Sequence, residues 1–319
     1  MSHDSASIDN ALCGPLLGGS HEPTFAGAPS FMRRRWSKDL SEADVVVWGV
    51  PFDCATSNRP GARFGPAAIR RASAIFDGDP QYPSKRDPFA SLRVIDAGDC
   101  FFEYEHIGQA PAHIERQAAQ IIAAGRHLVT LGGDHFITLP LLRAHAATHG
   151  PLALVHFDAH QDTWADDGTK MSHGTFVTRA VAEGLIDPAR SIQIGVRTMA
   201  PHDYGIEILD MDMCLALGVA GIAARTKARV GPGAAYLTFD MDALDPAFAP
   251  GTGTPVAGGL SSADALAILW RLGEIDFRGM DVVEVCPPFD HADVTALAGA
   301  SIVQRYLQVL AGRLSFSFR

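Results

Sequence analysis

Seven consecutive residues, HFDAHQD at positions 156–162, carry two histidines and two aspartates, and they follow directly on the apolar residues LALV. Asp158, His160 and Asp162 alternate along the chain, so an extended segment would place their side chains on one side, roughly 7 Å apart at each step. Carboxylates next to a buried strand are costly unless they have partners. The pattern therefore predicts that a cation neutralises this group.

Three further apolar runs lead to polar residues of the same kinds. LVTLGG is followed by Asp134 and His135, AAYLTF by Asp240 and Asp242, and the run VVEV contains Glu284. In open α/β sheets, ligands bind outside the carboxyl ends of the strands. We therefore expect these side chains to share one cleft.

Six side chains in this group are candidate metal ligands: His135, Asp158, His160, Asp162, Asp240 and Asp242. Any single aspartate could instead cap a helix or pair with a basic residue, but the adjacent segments contain almost no Lys or Arg. Two like charges about 4 Å apart cost roughly 4 kcal/mol at an effective dielectric constant near 20. Two divalent ions would balance four carboxylates, provided that some carboxylates bridge them. Ligation mainly by oxygen, with one imidazole per ion, favours manganese over zinc or copper, and two such ions can activate a shared water.

The composition limits the class of protein. The chain has 319 residues, 47% of them hydrophobic, and a formal net charge of −10, which argues against nucleic acid or an acidic membrane surface as a partner. Five scattered cysteines without C-x-x-C spacing argue against a disulfide framework or a zinc–thiolate site. No apolar run reaches membrane-spanning length and the first residues lack a signal pattern, so we expect a cytoplasmic protein.

Short, β-branched runs predict strands that are buried on both faces, with helical stretches between them. The runs are ADVVVWGV, LRVIDAG, HLVTLGG, LALVHFD, SIQIGV, AAYLTFD and MDVVEV. The helical stretch SSADALAILWRLGE begins with a Ser261-x-x-Asp264 pattern that is typical of a helix N-cap. We predict one α/β domain over residues 41–319, with a mostly parallel sheet covered on both sides. Residues 1–40, rich in Gly, Pro and Ser, are expected to form an arm over the domain or a neighbouring subunit.

The segments GGDHF, HFDAHQD and TFDMDALDPAFAPGTGTP resemble the three signature segments of the ureohydrolase family, which includes arginases and agmatinases. The resemblance covers about residues 40–310, and GVPFDCATSNRPGARFGPAAIR is more similar to agmatinases than to arginases. It implies an arginase-like three-layer α/β/α domain with a mostly parallel sheet of about eight strands. It also implies two Mn²⁺ ions per chain and a homotrimer or homohexamer.

The same resemblance implies how the ligands are shared between the two ions. One manganese would be held by His135, Asp158, Asp162 and Asp240, and the other by Asp158, His160, Asp240 and Asp242. Asp158 and Asp240 would thus be the bridging residues. His156, within the strand, is expected to be structural.

Other residues are candidates for substrate binding and proton transfer. Glu284 can pair with a planar guanidinium through two parallel hydrogen bonds, although it could instead hold nearby backbone. His173, in MSHGTF, matches the family's proton shuttle, although a lone loop histidine is often a surface residue; Asp162 could also relay a proton. Asp166 and Asp167 are predicted to receive a cationic substrate tail, the alternative being a solvated turn.

Together with these residues, the family resemblance implies a dimanganese hydrolase that cleaves a guanidino C–N bond and releases urea, with agmatine as the expected substrate. Guanidinobutyrase activity is the main alternative within this class. A one-metal deacetylase of related fold is disfavoured because both His135 and Asp242 are present. A catalytically silent regulatory homologue is disfavoured because no expected ligand is missing.

Overall fold

The computed structural model describes residue 11 and residues 23–76 and 80–317, and these residues form a sheet of nine strands. The strands are β1 (Arg35–Trp36), β2 (Val45–Val50), β3 (Val94–Asp99), β4 (His127–Gly132), β5 (Ala153–Phe157), β6 (Ile192–Val196), β7 (Glu207–Asp210), β8 (Ala234–Asp240) and β9 (Asp276–Val283). Their order across the sheet is β1-β3-β2-β4-β9-β8-β5-β6-β7, and every neighbouring pair is parallel.

Helices cover both faces of this sheet. They are α1 (Gly65–Ser73), α2 (Ala110–Ala123), α3 (Thr138–His149), α4 (Phe176–Ala182), α5 (Met211–Val230), α6 (Ser262–Arg271) and α7 (Val294–Ser317). Apolar residues of α1, α5, α6 and α7 form a core on one face, and those of α2, α3 and α4 form a core on the other. None of the described helices is long and apolar enough to span a membrane.

This architecture confirms the predicted three-layer α/β/α fold. All seven predicted strands are present, and α6 begins at the predicted N-cap, where the Ser261 hydroxyl accepts a hydrogen bond from the Asp264 N–H at 3.0 Å. The sheet has nine strands instead of about eight. The two strands that no apolar run predicted, β1 and β7, are the short edge strands, with two and four residues.

Part of the predicted N-terminal arm belongs to the sheet layer. The side chains of Phe31 and Met32 are fully buried, and β1 pairs with β3. The Phe31 N–H also donates a hydrogen bond to Asp96 of β3 at 2.7 Å. Residues 31–36 are therefore integrated into the fold, whereas residues 1–10 and 12–22 of the arm lie outside the described residues.

Four neighbouring strands at the centre of the sheet determine where the chemistry lies. They are β4, β9, β8 and β5, and each is followed by one of the polar segments identified in the sequence. Because the strands are all parallel, their carboxyl ends lie side by side at the same end of the sheet. The strand order thus gathers residues that are up to 149 positions apart in the chain, such as His135 and Glu284.

Arg70 of α1 makes a buried ion pair with Asp96, and we predict that losing it destabilises the fold strongly. Arg70 Nε lies 2.8 Å from Asp96 Oδ2, and neither side chain is more than 3% exposed. Arg70→Met leaves a buried carboxylate without its counterion, so we expect the free energy of unfolding to fall by about 3–5 kcal/mol. The matched change Arg93→Met, in the exposed pair with Asp44, should have little effect. Urea denaturation measures both variants, and equal effects would contradict the prediction.

Candidate active site

The carboxyl ends of the central strands bring the predicted ligands together around His135. The Nδ1 atom of this histidine lies 3.0 Å from an oxygen of Asp158, 3.2 Å from one of Asp162 and 3.1 Å from one of Asp240. All four side chains are at most 8% exposed. Residues that follow three different strands therefore form one buried group.

A second group lies around His160 and shares Asp158 with the first. His160 Nδ1 lies 3.3 Å from Asp158 Oδ1 and 3.1 Å from Asp242 Oδ2. Asp158 uses its Oδ2 atom towards His135 and its Oδ1 atom towards His160, as a bridging carboxylate would. The Asp242 N–H donates to Asp240 Oδ1 at 2.8 Å, which ties the two groups together a second time.

The local backbone differs from the extended segment that the alternation predicted. Strand β5 ends at Phe157, and the His160 N–H donates to Asp158 Oδ1 at 2.6 Å in a turn. Asp162 has a φ of 52°, in the left-handed region. The prediction of an extended segment, with the side chains of Asp158, His160 and Asp162 about 7 Å apart on one side, is therefore wrong. Such a segment could not bring Asp158 and Asp162 to the same atom of His135. The turn costs conformational strain, which is often found at functional sites.

The geometry around His135 fits a metal ion. Its Nδ1 atom is buried and has no hydrogen-bond partner among the described residues, although three carboxylate oxygens lie 3.0–3.2 Å away. Two ligands that are each about 2.1 Å from a shared ion, at about 90° to one another, lie about 3 Å apart. These side chains therefore have the spacing of ligands around one ion.

The electrostatics of the group also fit a cation. Burial and the negative charges of Asp242 and Asp158 raise the pKa of Asp240 well above its ordinary value. Burial alone would lower the pKa of His160, but hydrogen bonds and charges of Asp158 and Asp242 raise it to about 12. Protons held on His160 and Asp240 thus offset the repulsion among the carboxylates. Divalent ions would replace those protons.

His156 is placed next to the cluster but in a supporting position. Its Nε2 atom lies 2.7 Å from Asp158 Oδ2, and its Nδ1 atom lies 3.0 Å from the amide nitrogen of Gln193. The Gln193 amide nitrogen can only donate, so His156 Nδ1 accepts, and the proton of the neutral ring is on Nε2 and is shared with Asp158. Both nitrogens are engaged, which agrees with the predicted structural role.

The sequence did not reveal the residues that orient His135. Its Nε2 atom lies 2.8 Å from the Thr238 hydroxyl, which in turn donates to Asp281 Oδ1 at 2.5 Å. Because the Thr238 proton is directed to Asp281, Thr238 accepts from His135 Nε2–H, so in the neutral ring Nδ1 is the nitrogen without a proton. The signal in the sequence was Asp281 itself, a carboxylate inside an apolar strand, where Thr238 is its direct neighbour across β8 and β9.

His173 and Glu284 are also brought together. His173 Nδ1 lies 2.9 Å from Glu284 Oε1, and on the other side of the ring Nε2 lies 2.7 Å from the Ser57 hydroxyl. Burial lowers the pKa of His173, but the hydrogen bond and charge of Glu284 outweigh it and raise the pKa to about 9. The predicted surface alternative does not apply, because His173 is only 7% exposed.

Glu284 holds nearby backbone, as the alternative prediction had it, and is also bonded to His173. Its Oε1 atom accepts hydrogen bonds from the His135 N–H and from His173, so the predicted pair of parallel bonds to a guanidinium cannot use it freely. Its Oε2 atom is buried and has no hydrogen-bond partner among the described residues. A Cβ atom at Gly253 would lie 3.1 Å from Oε2, so glycine at this position leaves room beside that oxygen.

A cavity of about 330 Å³ opens next to the cluster. Its lining includes the predicted ligands His160, Asp162 and Asp240, together with His173, Ser57 and Trp164. This volume is at the lower end of the range for small-molecule sites. A small molecule in this cavity would therefore contact both the predicted metal ligands and His173.

Asp166 and Asp167 are not brought to this cavity. Asp166 pairs with Arg179 of α4 and accepts a hydrogen bond from the Thr175 hydroxyl, and Asp167 accepts one from the Thr169 N–H. Arg179 lies 13 residues after Asp166, on α4. These contacts do not support the prediction that Asp166 and Asp167 bind substrate. They favour the alternative of a turn, which is solvated at Asp167 but not at Asp166, whose side chain is only 4% exposed.

The chain is similar to known proteins over most of its length. The model of the Arginase family matches residues 43–308. An agmatinase from Chromobacterium violaceum is 48% identical over 289 residues, which are 90% of each chain.

Two solved structures are also similar. A crystal structure described as a hypothetical agmatinase from Burkholderia thailandensis is 49% identical, has a TM-score of 0.93, and covers 97% of this chain and 99% of its own. Proclavaminate amidino hydrolase from Streptomyces clavuligerus is 39% identical, has a TM-score of 0.86, and covers 91% of this chain and 99% of its own.

The contact between Thr238 and His135 predicts a specific effect on metal binding. Thr238→Val keeps the shape of the side chain but removes the acceptor that fixes His135, so we expect the affinity for Mn²⁺ to fall about 10- to 100-fold. Isothermal titration of the metal-free protein measures this.

Thr130→Val is the matched control for this change. Thr130 and Thr238 both lie beside Asp281 in the sheet, but the buried Thr130 hydroxyl has no hydrogen-bond partner among the described residues. The control should bind Mn²⁺ like the wild type. Equal affinity of both variants would show that Thr238 does not orient the ligand.

Proposed function

The chain belongs to the arginase family, and on that basis we propose that it hydrolyses agmatine to putrescine and urea, using two Mn²⁺ ions. Agmatinases that are 46–49% identical over most of the chain support the substrate. One structural observation supports the chemistry. The Nδ1 atom of His135 lies 3.0–3.2 Å from three carboxylate oxygens and has no hydrogen-bond partner among the described residues.

We assign the two metal positions as the family resemblance implies. His135, Asp158, Asp162 and Asp240 would hold one ion, and Asp158, His160, Asp240 and Asp242 the other. Oxygen-rich ligation with one imidazole for each ion supports manganese. When bound, the ions would lower the pKa of water so that it can attack the guanidinium carbon.

Glu284 has two tasks in this proposal. Its Oε1 atom positions His173, and its Oε2 atom, buried beside Gly253 and without a hydrogen-bond partner in the described part of the chain, is the atom that we assign to the substrate guanidinium. A charge-assisted hydrogen bond there would orient the planar group towards the metal ligands. The bond that breaks joins the guanidinium carbon to the nitrogen of the alkyl chain.

His173 is the residue that we propose for proton transfer. Its Nδ1 atom faces Glu284, while its Nε2 atom faces Ser57 at the cavity wall. The leaving nitrogen gains protons as water adds to carbon, so that agmatine and water give putrescine, as an ammonium, and neutral urea. Asp162, also on the cavity wall, is the second candidate for this transfer.

We also propose the setting in which the enzyme works. The family resemblance supports a homotrimer or homohexamer that acts on a small guanidino compound. The net charge of −10 supports a protein that does not bind nucleic acid, and we assign it to the cytoplasm.

The test of this proposal is urea release with added manganese. Protein stripped of metal with a chelator should be inactive, and activity should return with two Mn²⁺ ions bound per chain. We expect kcat/KM for agmatine to exceed the values for 4-guanidinobutyrate and arginine at least tenfold on one preparation. A tenfold preference for 4-guanidinobutyrate would overturn the substrate. A fully active enzyme with one ion would overturn the two-metal site, and no urea from any compound would favour a silent homologue.

Replacing His173 tests its role separately from metal binding. His173→Asn should lower kcat about 100-fold, the usual scale for losing a general acid or base. Manganese content should remain at the wild-type level, because the described hydrogen bonds of the His173 ring are with Glu284 and Ser57 and not with a predicted metal ligand. His106→Asn, at an exposed position, serves as the control. Loss of metal, or full turnover, in His173→Asn would show that the assignment is wrong.

A further inference from the structure

The cavity wall contains one large aromatic side chain, Trp164, that neither the metal site nor the proton transfer uses. We propose that Trp164 determines substrate specificity, with its indole face holding the carbon chain and the terminal ammonium of an aminoalkyl guanidine. This inference rests on the proposed function, since it concerns the end of the substrate that does not react.

Apart from the predicted metal ligands and His173, no charged side chain in the described lining could recognise the far end of a substrate. The other residues of this described lining are neutral: Ser57, Trp164, Ser172, Gly174, Thr175 and Thr254. No Arg or Lys in this described lining could pair with a carboxylate at the end of a substrate. No further carboxylate is in this described lining: Asp166 is paired with Arg179, and Glu284 is fully buried and hydrogen-bonded to His173.

The position of Trp164 is fixed by its neighbours. The backbone N–H of Trp164 donates to the carbonyl of Gly174 at 3.2 Å, and its backbone carbonyl accepts a hydrogen bond from the Thr178 hydroxyl at 2.9 Å. A Cβ atom at Gly174 would lie 3.5 Å from Cε3 of the indole, so the ring lies directly against this glycine. The ring centroid is 6.3 Å from that of His160. The indole is therefore held beside the metal ligands.

The chemistry of the indole ring suits an aminoalkyl chain. The apolar ring can pack against methylene groups, and its negatively polarised face attracts a cation within about 6 Å of the centroid. Such an interaction is worth about 2- to 30-fold in affinity. The same face repels a carboxylate, so one side chain would favour agmatine and disfavour a guanidino acid.

The experiment separates recognition of the cation from packing. It compares agmatine with pentylguanidine, which has a methyl group in place of the ammonium. Trp164→Leu keeps an apolar side chain but removes the aromatic face, and Trp164→Phe keeps an aromatic face. We expect the ratio of kcat/KM for agmatine to that for pentylguanidine to fall about 10-fold in Trp164→Leu, through KM, with kcat near the wild-type value. Trp164→Phe should keep most of the wild-type ratio.

Phe101→Leu, at a side chain that is 65% exposed and outside the cavity lining, is the control and should leave the ratio unchanged. Thermal unfolding of each variant verifies that it is folded. An unchanged ratio in folded Trp164→Leu, while wild-type enzyme hydrolyses agmatine, would overturn the role of Trp164 and leave the proposed function intact. Failure of wild-type, manganese-loaded protein to release urea from agmatine would overturn both.

Discussion

The constraint on which the site depends is the burial of several carboxylates at one point of the sheet. Asp158, Asp240 and Asp242 are nearly inaccessible to solvent, and their charges repel each other. Burial of that kind is tolerated only where cations or hydrogen-bond donors compensate. An all-parallel sheet makes the arrangement possible, because it places the ends of β4, β9, β8 and β5 side by side. The polar segments then need only short turns to converge.

Hydrogen bonds around the cluster determine which atoms carry protons. Asp281 accepts from Thr238, and Thr238 from His135 Nε2, which leaves His135 Nδ1 available for a metal ion. Gln193 donates to His156, whose proton is then shared with Asp158. Each chain of hydrogen bonds begins at a group with a fixed donor or acceptor role and ends at a ligand. The surroundings thus set the protonation state of the ligands, as outer partners do in metal sites.

Much of the fold and of the candidate site could be predicted from the sequence. The features that were missed depend on contacts that form only in the folded chain. The apolar runs and the polar residues after them predicted the central strands and the six candidate ligands. The turn after Phe157 was missed, because alternation alone does not distinguish an extended segment from a turn that bonds back to Asp158. The pairing of Asp166 with Arg179 and the contact of Thr238 with His135 were missed because they join segments that meet only in the folded chain.

These differences separate two parts of the site by how they are built. The proposed metal ligands lie at the ends of central strands, and a change there would disturb charges that are balanced across β4, β5 and β8. Trp164 and Asp166 instead lie further along the chain, after Asp162 and before α4, in a stretch that α4 holds through Thr178 and Arg179. That segment contacts the cavity without taking part in the sheet, so its side chains can change while the strand ends remain in place. The fold therefore allows the preference for one guanidino compound to vary independently of the hydrolytic chemistry, as in other folds that carry their specificity on loops.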